Sequence, residues 1–223
     1  MRRIKDNALS LTFLVLFLLC LAGQALAGML HYNEQQLVEG GEAISFLSYV
    51  TSSSFAVDVA ENWQSEYLQF LLFIMLTIWM VQRGSPESKE PGREGAESDE
   101  EQRIGPYAEA DSPAWARVKG WRLRLYSNSL GLAMGTVFLL SWLAQSVAGV
   151  SAFNERQLSQ REEPVSWLRY LAEPDFWNRT LQNWQSEFLA VASMAVLAIY
   201  LRQRGSPESK PVGASHDSTG VEG

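Results

Sequence analysis

The chain has 223 residues, 47% of them apolar, and a formal net charge of −7. Much of the negative charge lies between Glu90 and Glu101, where Glu90, Glu94, Glu97, Asp99, Glu100 and Glu101 are accompanied by one base, Arg93; no basic face of the kind that holds nucleic acid is present, and no nucleic-acid partner is expected. Cys20 is the sole cysteine, which excludes an intramolecular disulfide and a thiolate metal cluster.

The first apolar run covers residues 8–29 and includes LSLTFLVLFLLCLAGQALAGM. At about 1.5 Å per residue it is long enough to cross a hydrocarbon core of about 30 Å. The basic start MRRIKDN and the later Ala25-Leu26-Ala27 also have the form of a secretory signal peptide. A matching segment deeper in the chain keeps Ser146-Val147-Ala148 although it is internal, so an uncleaved anchor is the expected outcome. The loop 31–66 contains no Lys or Arg. The second apolar run, Tyr67 to Val81, is too short to span alone. If Trp63 lies at the outer interface as an aromatic-belt anchor, residues 63–82 reach across.

Residues 90–113 read as a charged, Gly- and Pro-containing linker that should be disordered. AWARVKGWRLRLY (114–126) mixes Trp, Leu and Arg and suits an interfacial helix on an anionic inner leaflet. Residues 130–150 form a third span. In the loop that follows, PVSWLRYL (164–171) has apolar residues at helical spacing and predicts a short amphipathic helix on the membrane. Pro174-Asp175 then opens a new helix, which runs through Trp184 into a fourth span at 184–203. In the first half Ser54 stands in the place of Asp175. Residues 211–223 should be a disordered tail.

Basic residues flank one side of every span: Arg2, Arg3 and Lys5, then Arg83 and Lys89, then Arg117, Lys119, Arg122 and Arg124, then Arg202, Arg204 and Lys210. The positive-inside rule therefore expects both termini and the linker in the cytoplasm and both long loops outside. The second loop argues this less strongly, since it carries Arg156, Arg161, Arg169 and Arg179.

The two halves are copies. A shift of 121 positions aligns residues 7–89 with 128–210 without a gap, and about four positions in ten are identical. NEQQL (33–37) meets NERQL (154–158), NWQSE (62–66) meets NWQSE (183–187), and QRGSPESK (82–89) meets QRGSPESK (203–210). Gly28 meets Gly149, Tyr49 meets Tyr170, and Phe55 meets Phe176. Each copy crosses twice, so the copies share an orientation and form the parallel class of repeat. The expectation is an all-α membrane protein with four transmembrane helices, built as two tandem hairpins: copy one over 7–89 and copy two over 128–210.

Glu66 and Glu187 are the candidate functional residues, because a carboxylate at a membrane edge is costly. Gln24 and Gln145 sit at similar depth, with Asn62 or Asn183 and Asn33 or Asn154 nearby, and a Gln–Glu hydrogen bond across each hairpin is expected. The functional reading is a proton or cation site. Set against it is the simpler structural one, a glutamate at the water surface that anchors its helix. Trp63 and Trp184 are read as interface anchors. In the cytoplasmic turn, Gly84 and Gly205 suit a left-handed helix end, and Ser85-Pro86 and Ser206-Pro207 resemble an N-cap followed by a first-turn proline. His31 and His216 are isolated, so no metal site is expected. No phosphate loop, nucleophile elbow or dinucleotide fingerprint is present.

Gln24 with Gly28, NEQQL, NWQSEYLQF and RGSPESK together resemble the motifs of the bacterial membrane-protein family of unknown function numbered 6766. The resemblance covers nearly all of residues 7–210. Copy two departs from it slightly: NERQL replaces NEQQL, and Ala190-Val191 replaces Gln69-Phe70. It implies a bacterial integral membrane protein, and it implies no activity, cofactor or substrate. The expected role is a structural or interaction protein of the inner-membrane envelope, not an enzyme, with the lipid bilayer, other membrane proteins or itself as partners. The alternative is a small transporter or channel that uses the Glu66 and Glu187 carboxylates.

Overall fold

The structure, a computed structural model, describes residues 2–221. Among them every regular element is helical: α1 (Arg2–Asp6), α2 (Ala8–Val38), α3 (Phe46–Val50), α4 (Ser53–Leu76), α5 (Trp121–Ser127), α6 (Ser129–Ser159), α7 (Trp167–Tyr170) and α8 (Pro174–Tyr200). Short 3-10 turns occur at Gly105–Tyr107 and Ala114–Arg117. Two helices, α2 and α6, are long and apolar enough to cross a membrane.

Both of these helices have 31 residues, about 46 Å at about 1.5 Å per residue. They run past the expected span ends at 29 and 150. The NEQQL and NERQL segments contain good helix formers and no breaker, so the helix persists until a left-handed residue stops it. In α2 that residue is Gly40, φ +81°. Its N–H donates to Leu37 O at 3.2 Å, and Gly41 N donates to Gln36 O at 2.7 Å, the paired bonds of a Schellman end. In α6 the same two bonds recur from Arg161 to Leu158 O (3.1 Å) and from Glu162 to Gln157 O (2.8 Å), with Arg161 at φ +62°.

The other pair ends differently. α4 starts at Ser53, with Ser52 Oγ accepting from Phe55 N at 3.2 Å, so Ser52 rather than Ser54 supplies the cap. It stops at Leu76, short of the expected end at Gln82. Thr77 Oγ1 turns back onto Phe73 O at 2.7 Å, and the β-branched and aromatic run Thr77-Ile78-Trp79 has weaker helical preference. α8 reaches Tyr200. There the Arg202 guanidinium donates to Ala198 O, Ile199 O and Leu201 O at 3.3, 3.0 and 2.8 Å, placing a cation on the exposed carbonyls of a helix C-terminus.

The chain divides into two compact units. One comprises the chain up to Glu61 together with Leu143–Trp177; the other comprises Asn62–Trp142 together with the chain from Asn178 onward. Each unit therefore draws on both sequence copies.

In the second unit, residues 90–113 form successive turns tied by ion pairs. Lys89 Nζ lies 2.5 Å from Glu97, Arg93 2.8 Å from Glu101, and Arg103 3.4 Å from Glu109. The hydrogen bond from the Lys89 ammonium holds the Glu97 carboxyl below the usual carboxylate range. The segment 114–126, expected as one helix, is broken at Gly120, whose φ of +72° and ψ of −143° are open only to glycine. A 3-10 turn precedes the break and α5 follows it. The Trp115 and Tyr126 rings face each other across it at 6.4 Å.

Candidate functional site

Three groups of residues are repeated in the sequence, and the structure gives each a location. The first lies in the first unit. Asn33 clamps the loop after α2 from both sides: its Nδ2 donates to Ile44 O at 3.0 Å, and Ile44 N donates to its Oδ1 at 2.8 Å. Asn154 does the same to Val165, at 2.9 and 2.8 Å. An amide side chain here copies the two-bond pattern of a backbone pair and satisfies loop groups that would otherwise need water. The loop then enters a short helix capped by Ser45 on Ser48 N (3.2 Å) or by Ser166 on Arg169 N (3.4 Å).

Each short helix carries the repeated tyrosine. Tyr49 and Tyr170 are almost wholly buried, and each ring lies against the repeated glycine of the preceding long helix. A Cβ on Gly28 would overlap the Tyr49 hydroxyl, and one on Gly149 would lie 2.6 Å from Tyr170 Oη. The repeated phenylalanine closes the cluster, with Tyr49–Phe55 at 5.5 Å and Tyr170–Phe176 at 5.7 Å between ring centroids, both tilted as aromatic pairs prefer. Tyr170 Oη donates to Asp175 Oδ2 at 3.0 Å, and Asp175 Oδ1 pairs with Arg156 at 2.9 Å. Tyr32 donates to Glu155 Oε1 at 2.5 Å. Burial, then this bond and the Glu155 charge, push the Tyr32 phenol up to about 12. Burial likewise raises Tyr49, with the Asp58 charge adding to it.

The second group is NWQSE, in the second unit. Gln64 and Ser65 of α4 are buried, whereas Gln185 and Ser186 of α8 are exposed. The two copies meet through different faces of the same five letters. Trp184 Nε1 donates to Gln64 Oε1 at 2.7 Å, and Gln64 Nε2 has no hydrogen-bond partner. Ser65 Oγ donates to Asn62 O at 2.9 Å and lies within hydrogen-bond reach of Glu187. Glu187 is half-buried and close enough to the exposed Glu66 to feel its charge. Asn183 turns back on its own helix, donating to Arg179 O at 2.9 Å.

The third group is the octapeptide, also in the second unit. Both copies close the same loop. Ser88 Oγ accepts from Gln82 N at 2.8 Å and donates to Lys89 O at 3.0 Å; Ser209 accepts from Gln203 N at 2.9 Å and donates to Lys210 O at 3.1 Å. Ser85 and Ser206 accept from the N–H two residues on, both at 3.3 Å. Gly84 and Gly205 stand at φ +87° and +82°. Their left-handed backbone belongs to this loop and not to a helix end, because α4 and α8 have already stopped at Leu76 and Tyr200. The Ser-Pro pairs open a turn, since no helix follows either of them.

The final lysine of each octapeptide gathers carbonyls downstream. Lys89 Nζ donates to Gly95 O at 2.7 Å. Lys210, fully buried, donates to Ser215 O, His216 O and Ser218 O at 3.1, 2.9 and 3.2 Å, and burial draws its ammonium below the usual lysine value. The chain folded round Lys210 covers the first octapeptide: Gly84 N donates to Thr219 Oγ1 at 2.8 Å, and Gly220 N to Ser85 O at 3.0 Å. Pro86 is buried there while Pro207 is exposed. Glu87 meets Glu208 in a hydrogen bond between equivalent residues. Burial first, then that bond and the Glu208 charge, raise the Glu87 carboxyl above its ordinary value.

Glu66, Glu187, Asn62, Asn183, Trp63 and Trp184 belong to the second unit; Gln24, half-buried, and Gln145, fully buried, belong to the first. Sequence reasoning passed over Gln64 and Ser65, and it placed Asn33 and Asn154 beside the glutamates rather than on their loops. Identity between the copies was the signal available for all four. Among the described residues no group of His, Cys, Asp and Glu is arranged to hold a metal.

Neither a curated protein nor a solved structure matches the chain. A family model described as "Domain of unknown function (DUF6766)" matches residues 1–221, a span that takes in the glycine–tyrosine clusters, both NWQSE segments and both octapeptide loops, and the chain belongs to that family.

Proposed function

We propose that this is a four-span integral membrane protein of the bacterial inner membrane, with both termini and the linker in the cytoplasm, serving as a structural or interaction component of the envelope. Two tandem parallel-repeat hairpins, 7–89 and 128–210, supply the spans. The observation that carries this reading is the pair α2 and α6: two equivalent helices, each with an apolar stretch of membrane-crossing length whose side chains are mostly exposed. Lipid is the natural cover for such surfaces. The repeated residues support a structural role, since they pin loops and close turns. The partners are lipid and other membrane proteins or a second copy.

Single cysteines in a Cys20→Ser background test the topology. Glu42→Cys and Glu162→Cys should react with an impermeant maleimide from outside in right-side-out vesicles. Glu94→Cys and Ser218→Cys should react only in inverted ones. Labelling of residues 42 and 94 from the same side would overturn the four-span arrangement.

A second reading, a small transporter or channel, is favoured by one observation: Glu187, Glu66, Ser65 and the buried amide of Gln64 share one locality. Proteoliposomes carrying a pH-sensitive dye should then show flux that Glu66→Gln and Glu187→Gln abolish. Vesicles as tight as protein-free controls would remove this reading.

A further inference from the structure

We infer that α3 and α7 are paired membrane wedges: Phe46 and Leu47 from one copy, and Trp167 and Leu168 from the other, enter the outer leaflet between headgroups and acyl chains. The partner is the lipid surface itself, and the inference rests on the membrane reading above, which it deepens.

Depth is set by the glycine–tyrosine contact. Gly28 lies at the end of the first apolar run, and the Tyr49 ring is packed against it, so α3 is held beside the last turn of that run. Gly149 and Tyr170 hold α7 at the same level of the third run. Trp167 Nε1 reaches one turn deeper, donating to Ser146 Oγ at 3.1 Å. Neither short helix can ride out into water while these contacts stand.

Orientation follows from the same contact. With Tyr49 and Tyr170 facing inward at 3% and 1% exposure, Leu47 and Leu168, two residues earlier and so on the opposite side of the turn, stand at 71% and 73%, while Phe46 and Trp167, one turn before the tyrosines, flank them at 44% and 40%. These are equivalent positions, so the two copies present the same pair of apolar side chains. The long helices that hold them are themselves apolar and exposed at this level, with Leu26 and Leu30 on α2 and Leu143 and Val147 on α6. The polar groups are already served. Ser45 and Ser166 cap the helix starts, the Asn33 and Asn154 clamps satisfy the loop backbone, and the Trp167 indole N–H is spent on Ser146. An apolar ring can then leave water without an unmet donor.

Charge and area select lipid over a second copy. Loop 31–66 has no Lys or Arg, so insertion draws on apolar area and not on attraction to anionic headgroups. In copy two Arg169 is paired with Glu173 at 3.5 Å and its long stem can keep its head in water. The four side chains together offer well under the roughly 800 Å² per partner that a stable protein interface takes.

Nitroxide labels on single cysteines, in the full-length Cys20→Ser chain reconstituted into phosphatidylcholine vesicles, test the wedge. Leu47→Cys and Leu168→Cys are the wedge sites; Glu42→Cys reports water, and Leu14→Cys reports the first apolar run. Both wedge sites are exposed, so the substitutions remove little packing. The wedge predicts high collision with oxygen and loss of collision with a water-soluble nickel chelate at 47 and 168, at about 5–10 Å below the headgroups. Nickel access at 47 and 168 equal to that at 42, with 14 protected, overturns the wedge and leaves the membrane reading standing. Shielding from both reagents overturns it in favour of a second copy. Nickel access at 14 as well overturns both.

Discussion

Arg161 stands where its own chain elsewhere uses Gly40. Both residues close a long helix with the same two Schellman bonds, at φ +62° and +81°. A left-handed residue with a Cβ costs about 1–2 kcal/mol, and glycine returns about 0.5–1 kcal/mol of that as chain entropy. The Arg161 side chain is exposed. Arg161→Gly should therefore stabilise the protein by about 0.5–1 kcal/mol, read as a higher Tm in detergent; a lower Tm would mean that the guanidinium matters there. Gly149 argues in the opposite direction. Alanine suits a helix better than glycine by about 1 kcal/mol, and at Gly23, where a Cβ meets nothing within 4 Å, Gly23→Ala should show that gain. At Gly149 the same change drives a methyl into a tyrosine hydroxyl that is fixed on Asp175. Overpacking of this kind costs about 1–3 kcal/mol, so Gly149→Ala should lower Tm. Equal effects at positions 23 and 149 would refute the tyrosine keying.

At the scale of elements, the octapeptide is a loop with its own hydrogen bonds and not the end of a helix. Its glycine was legible in the sequence as a left-handed residue, but the residues that close it were not. Ser88 and Ser209 act on a backbone N–H six residues earlier, and no helical or strand period carries that spacing. The long helices were legible because apolar runs announce them. Their far ends were not, because NEQQL continues a helix as readily as it starts a loop, and only the left-handed turn after it decides. The meeting of Glu87 with Glu208 brings a pH dependence with it. The folded state holds the Glu87 proton more tightly than the unfolded chain does. That contribution is present below the ordinary value of 4.5 and is lost as pH rises through the raised one. Glu87→Gln keeps a donor toward Glu208 and removes the titration. Its Tm should exceed the parent's near pH 7, and the difference should close below pH 4.5. A difference constant across that range would mean that the two carboxyls do not share a proton.

For the whole molecule, the duplication was the strongest signal in the sequence, and it invites an assumption of equal halves. The first unit largely supports that assumption, since the Asn clamps match bond for bond and the Gly–Tyr–Phe packing recurs, although Tyr170 donates to Asp175 where copy one has Ser54. The second unit breaks it. NWQSE buries Gln64 and Ser65 in α4 but exposes Gln185 and Ser186 in α8, and the chain after Lys210 bonds to Gly84 and Ser85 of the first octapeptide but holds the second through its Lys210 side chain. Two identical segments that face each other cannot both offer the same side chain to one contact unless a twofold axis runs through it. Here the contact joins Gln64 to Trp184, while the equivalent glutamine, Gln185, faces solvent. The copies therefore carry different energies in the same letters. Gln64→Ala removes the acceptor of the Trp184 indole and should cost about 1–3 kcal/mol. Gln185→Ala, on an exposed face, should stay within about 0.5 kcal/mol of the parent. Thermal unfolding of the two variants side by side measures this asymmetry, and equal losses would restore a symmetric pairing of the copies in place of the one described.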